Sequence, residues 1–191
     1  MQIITDNRVD LFQVRYDPAF QRLLLVGNVD DPEYITQVRA FEALFDQLHA
    51  VGRDWACPSL ERCPEDPPAP LGDCPLLFHG ALLFSERAMI ILRETLKDGG
   101  EWLRLPWNEG TLHAYHVMSM LDVVDPIRST IDRRTTGRWG NIDRLVLKEN
   151  PLALPPVFRI PQIAGCLIAT SEFESRWRGG GLHGLLFRKL T

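Results

Sequence analysis

Four residues that could move protons stand close together in the middle of the chain: His113, His116, Asp122 and Asp125. A histidine backed by a carboxylate can take and return a proton near neutral pH, which is the equipment of a small hydrolase. The local pattern argues against that use. Thr111 to Val117 reads as a strand, and residues an odd number of positions apart on a strand point to opposite faces. Asp125-Pro126 reads as a turn. Structural roles are the expectation for all four, and the hydrolase is the alternative.

A second set suggests metal. Cys57, Cys63, Cys74 and His79 are four possible zinc ligands, with five, ten and four residues between successive members. Structural zinc sites open with a tighter cysteine pair, two to four residues apart, and none exists here. Ordinary thiols are the expectation, and a zinc-stabilised adaptor is the alternative. Ser85 and Ser171 lie in no G-x-S-x-G elbow. Gly179-Gly180-Gly181 lacks the Lys-Ser/Thr of a phosphate loop. Two basic, aromatic stretches remain: Arg133, Arg134, Arg138 with Trp139, and Arg176 with Trp177 and Arg178. Arginine and tryptophan are the usual anchors of protein interfaces.

The elements that must position these groups are short. Asp10 to Tyr16 and Arg22 to Asn28 read as strands separated by Asp17-Pro18. A helix follows, with Asp31 as its cap, Pro32 in its first turn and Gly52 as its stop. Its inward face carries Ile35, Val38, Phe41, Leu44, Phe45 and Leu48. Residues 56–75 hold six prolines and read as a connecting loop. From Leu76 an apolar segment leads to Ser85-Glu86, which opens a helix with Met89, Ile90, Leu92 and Leu96 inward and Gly99-Gly100 at its end. Strands are expected at Glu101 to Leu105, Thr111 to Val117, Leu121 to Val124 and Asp143 to Lys148. Cys166 to Ala169, Ser171-Glu172, Gly179 to Gly181 and Leu185 to Phe187 repeat the strand, helix, glycine, strand order, with Ser85 and Ser171 each capping a helix. Irregularly spaced short strands with few helices predict an α+β fold, mostly antiparallel, with a few packed helices.

The 191 residues allow one domain or one domain with an N-terminal addition, and 45% hydrophobic with 24% charged residues is ordinary globular usage. The start of the chain shows no basic segment leading into an apolar run, and no apolar run is long enough to span a bilayer. Four cysteines do not make a secreted disulfide scaffold. The expectation is a cytoplasmic protein without a membrane or cofactor. Its charge is uneven: residues 1–75 carry 13 acidic and 6 basic groups, the remainder 12 and 15, so −7 and +3 make the net −4. The acidic part disfavours nucleic acid and suits a basic protein.

From about Leu76 to Leu190 the order of signals resembles immunity protein family eleven of bacterial polymorphic toxin systems, whose founding examples are myxobacterial. The matching pieces are Leu83-Phe84-Ser85-Glu86-Arg87, Trp102-Leu103-Arg104-Leu105-Pro106 and Leu121-Asp122-Val123-Val124-Asp125. They continue with Val157-Phe158-Arg159-Ile160, Ser171-Glu172-Phe173 and Gly181-Leu182-His183-Gly184-Leu185-Leu186-Phe187. The resemblance implies an immunity-like α+β domain over 76–191; the strand–strand–helix part at 1–55 and the connecting loop at 56–75, read from their own patterns, lie outside it. It implies binding and neutralising a cognate toxin in competition between bacteria, with no catalytic residues. The candidate partner surface is acidic, at Asp30, Asp31, Glu33 and Asp46, with Trp139, Arg176 and Trp177 as the anchors to examine next.

Overall fold

Aliphatic runs broken by proline and glycine fold here as strands of two to eight residues. The computed structural model describes residues 10–28, 30–52, 58–78, 80–133, 140–148 and 153–190. Their order is β1 (Leu11–Tyr16), β2 (Leu23–Leu25), α1 (Pro32–Asp46), β3 (Leu60–Arg62), β4 (Leu82–Ser85), α2 (Glu86–Leu92), β5 (Gly100–Trp107), β6 (Gly110–Val117), β7 (Thr130–Arg133), β8 (Gly140–Arg144), β9 (Val157–Phe158), a 3-10 turn (Pro161–Ile163), β10 (Ile168–Thr170), α3 (Ser171–Gly179) and β11 (Leu185–Lys189). Every pairing between these strands is antiparallel, and the fold is α+β.

Two of the sheets share one plan. In the order β4-β6-β5, the strands flanking β6 both oppose it, so β4 and β5 run the same way with α2 between them in the chain. In the order β11-β1-β10-β9, β1 separates β10 from β11 in the same manner, with α3 between them in the chain. The place that β6 fills in the first unit is filled in the second by a strand from the other end of the chain. The helices correspond at a spacing of 85: Ser85 and Thr170 are the N-caps, and Ala88 and Leu92 match Phe173 and Trp177 as the buried i+3 and i+7 positions. Ser85 does cap its helix, its hydroxyl accepting from the Ala88 N–H at 3.1 Å. Ser171 does not: it is the first residue of α3, after a Thr170 whose side chain makes no cap bond.

Strand periodicity then builds the core in layers. Leu82 and Phe84, with Trp102, Tyr115 and Val117, turn to a central cluster, and Phe12, Val14, Leu185 and Phe187 meet them from the other sheet. The buried faces of α2 and α3 complete that cluster. Alternate residues of the first sheet, Leu83, Leu103, Leu105, Leu112 and Ala114, pack beneath α1, β2 and β3. On the far side of the second sheet, Leu11, Ile142, Phe158, Ile163 and Ile168 form a third cluster.

Several local readings change in the folded chain. The stretch at 56–75 carries β3, paired with β2, because its prolines fall outside Leu60–Arg62. β1, from the expected N-terminal part, pairs with β10 and β11. The helix expected to run toward Gly52 ends at Asp46, and Ile35 and Leu48 are 41% and 49% exposed, since α1 rests on the sheet by Phe41 and Phe45 alone among its fully buried residues. Gly99-Gly100 does not end α2, which stops at Leu92. Gly100 is needed for another reason: a Cβ there would sit 2.1 Å from the His116 carbonyl oxygen. Ile90 is exposed rather than inward, and Ala88 takes the buried position. Leu121 to Val124 is not a strand but makes a single bridge from Val124 to Leu147, and the strand expected at Asp143 to Lys148 begins at Gly140 and ends at Arg144.

Candidate functional site

Beta geometry separates the two histidines, as their spacing on β6 predicts. His113 Nε2 meets Glu86 Oε2 at 2.6 Å, at the start of α2. His116 points through the other face into the layer beneath α1, where it is wholly buried against Phe45. Its Nδ1 lies 3.1 Å from Glu101 Oε1 and its Nε2 lies 2.8 Å from the Gln47 carbonyl oxygen. Asp122 pairs with Lys148 at 2.8 Å. Asp125 accepts the Ile127 and Arg128 N–H groups and pairs with Arg128 at 2.7 Å, which is turn chemistry. The four groups proposed for acid–base work are thus engaged with four different partners.

Glu101 draws the segment that follows α1 to the sheet. It accepts the Val51 N–H, the Gly52 N–H and His116 together. Burial raises its pKa, but those hydrogen bonds outweigh burial and hold the carboxyl below its ordinary value. A carboxyl depressed in the folded state adds stability above its unfolded value, about 4.3, and that stability is lost as pH falls through the folded value. The protection factor of the Val51 amide, its exchange measured against the intrinsic rate at each pH, should therefore fall on acidification through that window, and Glu101→Gln should flatten the dependence. Protection that stays constant while Glu101 itself takes up its proton, followed by its carboxyl NMR shift, would remove this role.

The acidic candidates gather at the start of α1. Asp31 is the observed N-cap, its Oδ1 accepting the Glu33 N–H at 2.8 Å. Glu33 stands exposed in the first turn, and Asp30 is exposed beside them. Between residues 30 and 46 five carboxylates face the single Arg39. Exposed Val26 and Ile35 accompany them. Asp46 behaves differently. It lies at the other end of the helix, 3.9 Å from the guanidinium of Arg159, a side chain only 1% exposed that also donates to the Gly80 carbonyl.

The expected anchors divide. Trp177 is no surface anchor: it is 2% exposed, with Phe84, Phe173 and Phe187 around it, because it occupies the inward position of α3. Arg176 is exposed and donates to the Ile91 carbonyl, tying α3 to α2. Trp139, Arg134 and Arg138 lie outside the described residues, as do Cys57 and His79 of the zinc alternative. Cys63 and Cys74 are buried free thiols, and burial pushes the Cys74 thiol well up, which opposes metal binding. Among the described residues no three His, Cys, Asp or Glu side chains converge as a metal site. An open depression of about 470 Å³ runs along Gly181 to Phe187, with Asp17, Arg178 and His183 on its wall. The His183 ring stacks on Phe20.

Sequence reasoning missed Asp73, Glu101 and Arg159 as organising charges. Arg159 had a signal, a cation inside the apolar run Val157-Phe158-Arg159-Ile160. Asp73 and Glu101 had none, because their partners are remote in the chain. Among the described residues no helix is long and apolar enough to cross a membrane. No family model and no curated protein matches the chain.

Proposed function

We propose that this protein is a non-catalytic immunity protein of the bacterial cytoplasm, which binds a cognate toxin and neutralises it, with no part for nucleic acid, membrane or cofactor. One observation carries the reading. Five of the six resemblance pieces fall on regular elements, at the β4–α2 junction, β5, β9, the start of α3 and β11, while Leu121 to Asp125 lies on no named strand or helix. The placement of these five pieces on strands and helix starts is what supports the reading. A binding role is also consistent with His113, His116, Asp122 and Asp125 being held in four separate contacts.

The test uses the toxin module of the reading frame beside this gene. Its expression alone should arrest growth, co-expression of this protein should restore growth, and the two should copurify. Toxicity unchanged by co-expression overturns the reading. So does a hydrolytic activity of the purified protein that His113→Ala or His116→Ala removes.

The start of α1 is the proposed docking region, for a basic toxin surface. Opposite charge speeds encounter, while buried contacts set dissociation. Asp30→Lys with Glu33→Lys keeps the Asp31 cap and should slow association several-fold at low salt. The effect should shrink near ~0.15 M salt, where the screening length is about 8 Å. An association rate indifferent to both changes would move the contact elsewhere.

A further inference from the structure

Cross-strand geometry brings two cations onto one neutral acceptor. Gln13 of β1 lies directly opposite Arg188 of β11, and Arg15 is the diagonal neighbour, its own partner being Leu186. Arg188 Nη2 donates to Gln13 Oε1 at 2.8 Å, and Arg15 reaches the same oxygen through Nη2 at 3.2 Å and Nε at 3.4 Å. The Gln13 amide nitrogen points the other way, toward Cys166 Sγ at 3.7 Å. Three N–H groups thus crowd an amide oxygen that has two lone pairs. The remaining acceptors are Asn141 Oδ1, at 3.2 Å from Arg15 Nη2, and the Ile142 carbonyl, at 2.6 Å from Arg188 Nη2. Among the described residues neither guanidinium has a carboxylate within ion-pair distance. Arg188 Nε is buried and finds no acceptor there. Two guanidiniums carry ten N–H groups between them, and the carboxylate beside this corner, Asp143, accepts from the Asn141 amide rather than from either guanidinium.

We propose that Arg15 and Arg188, framed by Gln13 and Asn141, form a binding site for an oxyanion, a phosphate or a carboxylate group. Such a group brings several lone pairs and negative charge to two forks whose geometry suits it. Arg15 is exposed, so the site opens to solvent, while Arg188 is partly sheltered and fixed by the Ile142 carbonyl. Burial foremost, and then the like charge of Arg15, pull Arg188 below the ordinary arginine value, while Asp143 acts in the opposite sense. An anion between the guanidiniums relieves the same repulsion. The site lies on the second sheet, apart from the acidic start of α1, and does not depend on the toxin-binding reading.

The experiment is a thermal and NMR titration of the whole protein with sodium phosphate and, separately, sodium acetate, against sodium chloride at matched ionic strength. The expected result is a saturable rise in Tm beyond that of chloride, with a shift of the Arg188 Nε–H resonance. Arg15→Gln, a change at an exposed side chain, should weaken the apparent affinity by about tenfold, the loss of one charge-assisted contact. Arg15→Lys should fall between. A response to phosphate alone assigns a phosphate group, and a response to both salts assigns oxyanions of either source. Tm shifts equal to those in chloride, or an apparent affinity unchanged in Arg15→Gln, overturn the proposal.

Discussion

Replacing Trp177 with alanine is expected to cost the fold about 3–5 kcal/mol, the range for removing a large aromatic from a packed core. The indole fills the centre of the cluster that both sheets and both short helices share, with ring centroids 6.2 Å from Phe84 and Phe173 and 6.3 Å from Phe187. Its neighbours come from β4, α3 and β11, so no single segment can move in to close the gap. At roughly 2–4 °C per kcal/mol for a chain of this length, Tm should drop by about 6–20 °C. Urea denaturation measures the loss directly. Trp177→Phe should cost less, because a ring remains. Partner affinity of the folded fraction should be unchanged, since the side chain lies beneath the surface. A loss under about 1 kcal/mol would mean that the indole is not part of the core.

Asp73→Ala is the second large expectation, at about 3 kcal/mol. Asp73 is buried and serves three donors at once. Its carboxylate accepts the Ser85 hydroxyl at 2.8 Å, the His183 N–H at 3.0 Å and Arg87 at 3.2 Å. Its main chain is paired too, its N–H donating to the His183 carbonyl and its carbonyl accepting the Ser85 N–H. The residue therefore fastens the 71–74 segment to the cap of α2 and to the turn before β11. Arg87 is half exposed, and that contact contributes little. The Ser85 hydroxyl and the His183 N–H carry the effect, because each sheltered donor left without a partner costs ~1–3 kcal/mol. Asp73→Asn keeps an accepting oxygen and should cost less than Asp73→Ala. Equal stability of Asp73→Ala and the unaltered protein in urea would remove this role.

What was legible in the sequence was local. Asp31, Pro32 and Glu33 announce the start of α1 because a cap acts within one turn, and the expected Asp31 cap is the observed one. The period-two pattern of Thr111 to Val117 placed His113 and His116 on opposite faces, as found. Ser85 was legible as a cap, whereas its counterpart at Ser171 was displaced by one residue to Thr170. The outward drift of Ile35 and Leu48 was not legible, since helical spacing gives the direction of an apolar face but not how much of it another element covers.

By itself, then, the sequence determined the start of α1, the Ser85 cap, the alternation along Thr111 to Val117 and the α+β class. These rest on interactions between residues a few positions apart. Tertiary structure alone decided that β1 would insert between β10 and β11, completing the second copy of the β4-β6-β5 plan. It alone set Asp73 against His183, Glu101 against Val51, Arg159 against Asp46 and Gln13 against Arg188. Each of these involves a charge that is worth little in water and much once sheltered. Their partners lie from 50 to 175 positions away, at Glu101–Val51 and Gln13–Arg188 respectively. No periodicity reaches over such distances. Only the packing of the two sheets brings these groups together and removes enough water for the contacts to count.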